Sequence, residues 1–481
     1  MERGRRLSPA KEFFRNIGTV LPEIKKPESK VSLRNRLIWS LIILILYFIM
    51  GGIPLYGVST SPNDPFASFR IIFASSTGTL LELGIGPIVT AGLIMQLLKG
   101  AEIIKFDFTD PEERAIFTAA TKFLTIVVTI VQATALVMSN YLRFIEASIS
   151  VVIITYLQLV IATIIVMLMD ELIQKGWGIG SGISLFIAAG VAKTIFISLF
   201  SPVMIQFDIG AEPYGLIPLI FTKMFTGDLF RIFIREGNYP SILSFLMTLV
   251  TIFIILYAEG VRIELPIAHA RYRGIRSVYP VKLLYVSNIP IILASTLIAD
   301  LNILANVIWN ALNPAGTDPL LNMIVYMETL EDGTQVIKGG ILYYLIGPTS
   351  IFEAIDDPLR TMVFIASMTL LAVIFAYLWV EVGGLSSASV SQQLIDSGMQ
   401  VPGFRRRAYS VNIILSKYIP SVTIIGGVFV GIIAAVSQIL GVFGGGMGIL
   451  LMIDILMNLY QVLLREQIEE YYPIVTKLIK V

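Results

Sequence analysis

The sequence predicts an all-α integral membrane protein with ten transmembrane helices. Of its 481 residues, 56% are hydrophobic and only 14% are charged, and the mean hydropathy is +0.81. Soluble domains carry about 25% charged residues, so the deficit excludes an ordinary soluble fold. The apolar residues also lie in long runs, whereas the strands of a membrane barrel would give short alternating segments.

Ten apolar runs approach the roughly 20 residues that a helix needs to cross the hydrocarbon core. The predicted spans are 37–56, 78–98, 115–138, 148–170, 181–200, 241–258, 280–300, 361–380, 418–438 and 448–464. If the N-terminus is cytoplasmic, 26 of the 35 Lys and Arg residues lie on the cytoplasmic side, seven lie outside, and Lys122 and Lys193 lie within spans. Because cytoplasmic loops are enriched in Lys and Arg, we expect both termini in the cytoplasm.

The spacing of the spans predicts two five-helix halves. A cytoplasmic segment at 1–36 precedes the first half, which covers 37–200. A Pro- and Gly-punctuated connector at 201–240 leads to the second half at 241–464, and 465–481 forms a cytoplasmic tail. The two halves share no convincing residue-level repeat, although many transporters have repeats visible only in their structures.

The composition excludes several kinds of site. The chain has no cysteine, which excludes disulfides, thiolate metal sites and cysteine nucleophiles. A single histidine, His269, leaves little material for a histidine metal site, and a net charge of +1 gives no global attraction for nucleic acid. The Gly-rich stretches do not match a phosphate-binding fingerprint, because no strand precedes them and no Lys follows in the required place. We therefore predict no cofactor and no metal.

The second predicted span contains an unusual number of helix-weakening residues. Gly costs about 1 kcal/mol and Pro about 3 kcal/mol in a helix interior relative to Ala. Two interpretations stay open: the glycines allow close helix packing, or Gly86 and Pro87 break the helix for a functional reason. The preceding segment at 65–77 is too short to span, and it is either re-entrant and buried in protein or an interfacial loop.

Polar residues within the predicted spans are few. The clear ionisable cases are Lys122, Lys193, Glu82 and Asp454, and they form no cluster that resembles a proton relay. Neutral polar residues are Thr90, Gln96, Gln132 and Asn288. Interhelical hydrogen bonding would account for these neutral residues without any further role.

Two long cytoplasmic loops, 259–282 and 383–417, carry the densest arginine clusters. These residues are Arg262, Arg271, Arg273, Arg276, Arg405, Arg406 and Arg407. One interpretation is the general enrichment of Lys and Arg in the cytoplasmic loops of membrane proteins. Arginine is also well suited to phosphate contacts on RNA, so a nucleoprotein partner is the second open interpretation.

Several stretches, in order along the chain, resemble the SecY family in its archaeal and eukaryotic form. They are LYFIMGGIPLYG, LGIGPIVTAGLIMQLL, GIGSGISLFIAAG, YAEGVRIELPIAH, YPVKLLYVSNIPIIL and GGGMGILL, and they cover about residues 37 to 466. The resemblance implies a clamshell of two halves around an hourglass pore. It also implies the central pore-forming subunit of a translocation channel, which passes unfolded polypeptides across the membrane and releases apolar segments sideways into lipid without covalent chemistry.

The resemblance implies particular sites. The implied pore ring consists of Ile85, Val89, Ile183, Ile187, Ile292 and Leu451. The implied plug consists of Ala67, Ser68, Phe69, Arg70, Ile71, Ile72, Phe73, Ala74, Ser75, Ser76 and Thr77. The implied lateral gate, between the second and seventh spans, includes Thr90, Gln132 and Asn288. The arginine clusters would dock the ribosome. The other implied partners are small membrane subunits of the SecE/gamma and beta types, signal sequences, nascent polypeptides and membrane lipid.

Other functions remain to be weighed against a channel in the plasma membrane. A secondary transporter for a small solute would suit ten spans and Gly-broken helices. However, a solute site needs several fixed polar partners, and few convergent polar residues lie near the middle of the spans. An intramembrane enzyme is disfavoured because no Ser/His pair, facing aspartates or HExxH motif is visible.

Overall fold

The computed structural model describes most of the chain and is largely helical. The described residues are 9–59, 70–71, 73–100, 103–104, 106, 110–138, 142–145, 148–207, 210–226, 230–235, 239–269, 276–286, 289–313, 316–329, 335–400 and 408–471. The α-helices are α1 Pro9–Gly18, α2 Leu33–Met50, α3 Gly86–Gly100, α4 Pro111–Met138, α5 Ile149–Leu172, α6 Gly182–Phe200, α7 Leu216–Thr226, α8 Phe230–Phe233, α9 Ile242–Gly260, α10 Ile289–Leu312, α11 Pro319–Ile324, α12 Ile341–Ile346, α13 Ile351–Asp356, α14 Pro358–Val382, α15 Ser387–Asp396, α16 Ala408–Ile439 and α17 Gly446–Tyr471. The strands are β1 Val58–Ser59, β2 Arg143–Phe144, β3 Met204–Phe207, β4 Gly210–Pro213, β5 Arg262–His269, β6 Arg276–Lys282, β7 Tyr326–Thr329, β8 Gln335–Gly339 and β9 Met399–Gln400.

Nine helices in the described part of the chain are long and apolar enough to cross a membrane. They are α2, α4, α5 with the π-helical turn Ile173–Trp177 that follows it, α6, α9, α10, α14, α16 and α17. Each overlaps one predicted span, so nine of the ten predicted spans are confirmed as long apolar helices. The tenth corresponds to α3, which is shorter.

The second predicted span is helical only from Gly86 onward, so a continuous helix over 78–98 is wrong. Gly78 and Gly84 have φ angles of +66° and +54°, which glycine adopts readily and other residues rarely do. Pro87 lies in the first turn of α3, where its missing N–H has no helical partner to lose. Of the two interpretations of these glycines, the structure agrees with a break in the helix, which begins only at Gly86.

The seventh predicted span, 280–300, is displaced along the sequence from the observed helix α10, Ile289–Leu312. Strand β6 ends at Lys282, and the apolar residues Leu283 to Val286 that follow it are not helical. Pro290 in the first turn of α10 favours a helix start there. As a consequence, Asp300 lies in the middle of a transmembrane helix and not at its end.

The chain forms two compact units. The first consists of Met1–Val191, Ala299–Leu342 and Ile455–Val481, and the second of Ala192–Ile298 and Tyr343–Asp454. Helices α6, α10, α12 and α17 therefore contribute residues to both units. In the first unit, α1 and α3 both pack against α4, and α4 packs against α5.

The second unit is built around α14 and α16, which pack along each other. Glycines in α16 allow their backbones to approach closely, since a Cβ at Gly431 would lie 2.6 Å from Cα of Thr369. At one end, residues of these helices join a buried apolar cluster that includes Val281, Val380 and Leu415.

The two arginine-rich loops meet in a small sheet of the second unit. Strands β5 and β6 form an antiparallel hairpin in which Arg262 pairs with Lys282. Strand β9, from the second loop, adds to the other edge of β5 through His269 and Met399. The loops 259–282 and 383–417 are therefore one structural feature and not two separate ones.

Candidate functional site

Four residues of the predicted pore ring belong to the first unit. Ile85 and Ile187 are almost fully buried, whereas Val89 and Ile183 are half-buried. Ile183 and Ile187 are four residues apart and so lie on one face of α6. Ile85 directly precedes α3, and its carbonyl accepts from the N–H of Val89 at 3.1 Å. The backbone N–H of Ile183 donates to the Asp170 carboxylate (3.0 Å), which fixes the start of α6 against the end of α5.

The other two ring residues, Ile292 and Leu451, belong to the second unit. There, the hydroxyl of Ser295 donates to Sδ of Met447 at 2.7 Å, which ties α10 to α17. Ile292 lies three residues before Ser295, and Leu451 lies four residues after Met447, so both are on the contacting helix faces. Assembly of all six residues into one ring remains a prediction.

The predicted plug segment is described at Arg70, Ile71 and 73–77; residues 67–69 and Ile72 lie outside the described residues. This segment is bound to the residues that lead into α3. The N–H of Ile85 donates to the carbonyl of Phe73 at 2.8 Å, and the N–H of Ser76 donates to the carbonyl of Leu81 at 3.0 Å. Because these bonds occupy backbone groups of a non-helical segment, they replace the helical bonds that the segment lacks.

The plug segment also contacts neighbouring helices of the first unit. The hydroxyl of Tyr47, on α2, donates to the carbonyl of Ala74, and the Tyr47 ring stacks on Phe186 of α6 at 4.6 Å. Ala74 itself is buried. Of the two interpretations of 65–77, the contacts of Ala74 agree with a segment packed against protein, while the other described residues, 70, 71, 73 and 75–77, are half-buried.

Gly84 is required where the plug segment meets α3. A Cβ at this position would lie 2.1 Å from the carbonyl oxygen of Phe73, well inside any allowed contact. Its positive φ of +54° adds a second reason for glycine. The Gly-dense sequence therefore allows the plug segment to approach the beginning of α3.

A buried ion pair joins the plug segment, at Arg70, to the residues that lead into α3, at Glu82. Nη2 of Arg70 lies 2.6 Å from Oε1 of Glu82, and both side chains are largely shielded from solvent. The carboxylate of Glu82 also accepts from the backbone N–H of Gly78. Since a buried charge without a partner is costly, each of these residues depends on the other.

Three polar side chains of the first unit converge near the predicted lateral gate. Thr90, on α3, donates from its hydroxyl to Oδ2 of Asp300 at 2.9 Å. Gln132, on α4, donates from its amide to Oδ1 of the same carboxylate at 2.7 Å. The structure thus brings together two predicted gate residues, while the third, Asn288, lies outside the described residues.

Asp300 is the site residue that sequence reasoning missed. The prediction that the clear ionisable residues within spans are Lys122, Lys193, Glu82 and Asp454 is wrong, because Asp300 lies mid-way along α10. The available signal was a charged residue within the apolar run STLIADLNIL. It was overlooked because the predicted span ended at that position.

The arginine clusters are described only in part. Arg262 is exposed at the start of β5 and forms an ion pair of 3.0 Å with Glu264. Arg276 lies at the start of β6, opposite Ala268. Arg271, Arg273, Arg405, Arg406 and Arg407 lie outside the described residues. Their role in docking therefore stays a prediction.

Comparison with known proteins decides the family. The sequence profile of SecY matches residues 79–460, and that of the plug domain of Sec61p matches residues 45–78. The protein translocase subunit SecY of Pyrococcus furiosus is 38% identical over 466 residues, which are 95% of this chain and 96% of that protein. The chain belongs to the SecY family. The SecY subunit of Aeropyrum pernix is likewise 38% identical over 469 residues, covering 96% and 97% of the two chains.

Solved structures agree with the SecY assignment. A protein-conducting channel aligns with a TM-score of 0.78 at 34% identity, covering 95% of this chain and 98% of that one. Sec61 in the canine ribosome–channel complex of the endoplasmic reticulum aligns with a TM-score of 0.75 at 33% identity, with the same coverage. The fold prediction is confirmed: this is an all-α membrane protein of the ten-helix, two-half SecY type. Its function is that of a protein-conducting channel, and the solute-transporter alternative is set aside.

Proposed function

We propose that this SecY-family chain passes unfolded polypeptides through a ring of aliphatic side chains and releases apolar segments sideways into lipid. The observation that carries the proposal is the seating of the plug segment on the beginning of α3, where the N–H of Ile85 donates to the carbonyl of Phe73. The plug segment, which closes the channel, is thus bonded directly to Ile85 of the pore ring. Movement of the plug and opening of the ring are coupled because they share these contacts.

The aliphatic ring resists ions without fixed polar groups. A hydrophobic constriction sheds its water and so excludes ions, and it holds no strong hydrogen bond to a passing chain. Side chains such as Ile85 and Ile187 can therefore fit around polypeptides of different sequence. The channel itself carries out no covalent step, and the driving force comes from a partner or from chain synthesis.

The lateral gate includes the helices α3, α4 and α10, joined by Thr90, Gln132 and Asp300. Separating α3 and α4 from α10 breaks these hydrogen bonds and opens a path to lipid. A sufficiently apolar substrate segment then gains about 25 cal/mol per Å² of apolar surface removed from water. The balance between these two free energies sets how apolar a released segment must be.

The proposed partners and orientation follow from charge. With both termini in the cytoplasm, the sheet of β5, β6 and β9 faces the cytoplasm in the plasma membrane. Its loops, including Arg273 and Arg406, bind ribosomal RNA, consistent with the ribosome-bound state of a solved Sec61 relative. SecE/gamma-type and beta-type subunits complete the complex. Signal sequences and nascent chains enter from the same side.

Site-specific photocrosslinking tests the proposed path. A photoreactive residue at Ile85 or Thr90 should crosslink to a stalled nascent chain that carries a signal sequence. The matched control is Phe253, an outward-facing residue about half-way along α9, 69% exposed in the isolated chain, which should not crosslink. Crosslinks at all three positions, or at none, would overturn the proposed path.

A further inference from the structure

A cavity of about 530 Å³ lies at one end of α4 and α5 in the first unit. One wall is formed by Leu21, Glu23 and Lys26 of the segment 19–30, here named the N-terminal strap. Another is formed by the first part of α4, from Pro111 to Lys122. Lys175, in the π-helical turn after α5, lines the cavity as well. The position is one surface of the membrane, because spans begin or end there.

The helix before the strap is firmly attached to α4. Nζ of Lys11 lies 2.9 Å from Oε1 of Glu113, and both side chains are mostly buried. The ring of Phe13 meets that of Phe123 edge-on at 5.8 Å. At the end of α1, Gly18 lies so close to α4 that an added Cβ would be 2.9 Å from Cβ of Ala119.

The strap is held at its other side by the turn after α5. The indole N–H of Trp177 donates to the carbonyl of Lys25 at 2.9 Å, and Lys175 contacts the carboxylate of Glu23. The strap is therefore fixed at both sides, and the cavity is part of the fold.

Positive charge predominates in the lining. Its cations are Arg15, Lys26, Arg114, Lys122 and Lys175, and its carboxylates are Glu23 and Glu112. Lys122 and Lys175 are already engaged by Glu171 at 2.6 and 3.2 Å. The hydrogen bond from Lys175 lowers the pKa of Glu23, so that carboxylate stays ionised and neutralises its lysine.

Lys26 and Arg114 remain available to a ligand. Both are exposed, and neither forms an ion pair with any residue in the described part of the chain. Arginine and lysine together suit phosphate, since the guanidinium can bind two oxygens and the ammonium adds a point charge. The same cavity has apolar lining at Leu21, Ala115 and Ile116, which would accept carbon atoms beside the charged group.

We propose that this cavity binds a phosphate group, carried by an anionic lipid head group or by a soluble phosphate compound. Lys26 and Arg114 contact the phosphate, and Arg15 lies beside them in the lining. Binding joins the N-terminal strap to the first turn of α4. Basic pockets beside transmembrane helices at a membrane surface are suited to such head groups.

The test compares the purified channel complex with two double variants. In Lys26→Gln with Arg114→Gln, the number of phosphatidylglycerol molecules retained in native mass spectrometry should fall, and their affinity should drop by at least about tenfold, as expected for two lost cationic contacts. The matched control, Lys417→Gln with Arg465→Gln, removes two exposed cations elsewhere and should bind as the unchanged protein does. Equal thermal midpoints of all three proteins show that folding is intact.

A second measurement distinguishes the source of the phosphate. Glycerol 1-phosphate is titrated into the complex in phosphatidylcholine nanodiscs by calorimetry. Binding that the Lys26/Arg114 variant lacks indicates a soluble phosphate ligand, whereas phosphatidylglycerol binding alone indicates a lipid head group. The proposal is overturned if both double variants bind phosphatidylglycerol and glycerol 1-phosphate as the unchanged protein does, or if both lose binding equally.

Discussion

At the scale of single residues, burial determines what each polar side chain of the first unit can do. Arg70 and Glu82 are 11% and 2% exposed in their side chains, so neither charge is well solvated when the other is absent. Removing one member of a buried pair destabilises by about 3–5 kcal/mol, whereas replacing both by apolar residues can be almost neutral. We therefore propose that the pair acts as a latch on the plug segment more than as a source of stability.

This latch predicts a non-additive double-mutant cycle. Arg70→Met and Glu82→Met should each lower the thermal midpoint of the purified complex and raise its resting ion conductance in planar bilayers. The double variant should be less destabilised than either single variant, because no unpaired buried charge remains. Additive losses of stability would contradict the latch.

A second prediction at the scale of single residues concerns the substitution of Gly84 by alanine. Gly84→Ala forces a Cβ against the carbonyl of Phe73 at a backbone angle that alanine resists, so the plug segment should leave its seat and resting conductance should rise. Gly92→Ala is the matched control, since Gly92 lies within α3 and an added Cβ would meet nothing within 4 Å. Alanine there should stabilise α3 by up to about 1 kcal/mol. Equal conductance of the two variants would contradict the seating.

At the scale of helices and strands, hydropathy predicted which segments cross the membrane but not where each helix begins. The second span failed over 78–85 because hydropathy does not register the positive φ of Gly78 and Gly84. The seventh failed because Leu283 to Val286, between β6 and α10, are apolar but not helical. Local backbone geometry, which hydropathy ignores, decided both boundaries.

Only those residues of the candidate site that lie at positions matched to the family could be predicted from the sequence. Thr90 and Gln132 follow from resemblance to the family, and the structure joins them through Asp300. Asp300 itself was missed, because it is recognised as a mid-helix charge only when the length of α10 is known. The contact between Arg70 and Glu82 was also not predictable, because a 12-residue separation in an irregular segment follows no fixed periodicity.

The hydrogen bonds of Asp300 predict that locking α3 to α10 blocks sideways release. The chain has no native cysteine, so Thr90→Cys with Asp300→Cys can be bridged selectively by oxidation or by a short bis-maleimide. The bridged channel should fail to insert a membrane anchor into lipid, and reduction of the disulfide should restore insertion. Thr90→Cys alone is the control. Full insertion by the bridged channel would place the gate elsewhere.

At the scale of the whole molecule, the predicted ring draws residues from both units, so its effect on conductance tests the assembled channel. Replacing Ile85, Ile183 and Ile292 by serine, one at a time, should raise resting ion leak because a polar lining holds water in the constriction. Leu370, 61% exposed on α14, provides the control position. Background conductance in all three ring variants would show that the ring is wrongly placed.

In the proposed function, ribosome docking depends on the two arginine-rich loops, whose strands β5, β6 and β9 pair in one sheet. Reversing Arg405 and Arg406 to Glu should weaken ribosome binding and make it less sensitive to salt. Each lost phosphate contact removes one set of released counterions, which lowers the slope of log affinity against log salt by about 0.7–0.9. The matched control reverses Arg143 and Lys338, which lie on the opposite side in the proposed orientation and should leave binding unchanged. An unaltered salt series for the Arg405/Arg406 variant would remove these residues from the docking surface, whereas an effect of the control would reverse the proposed orientation of the chain.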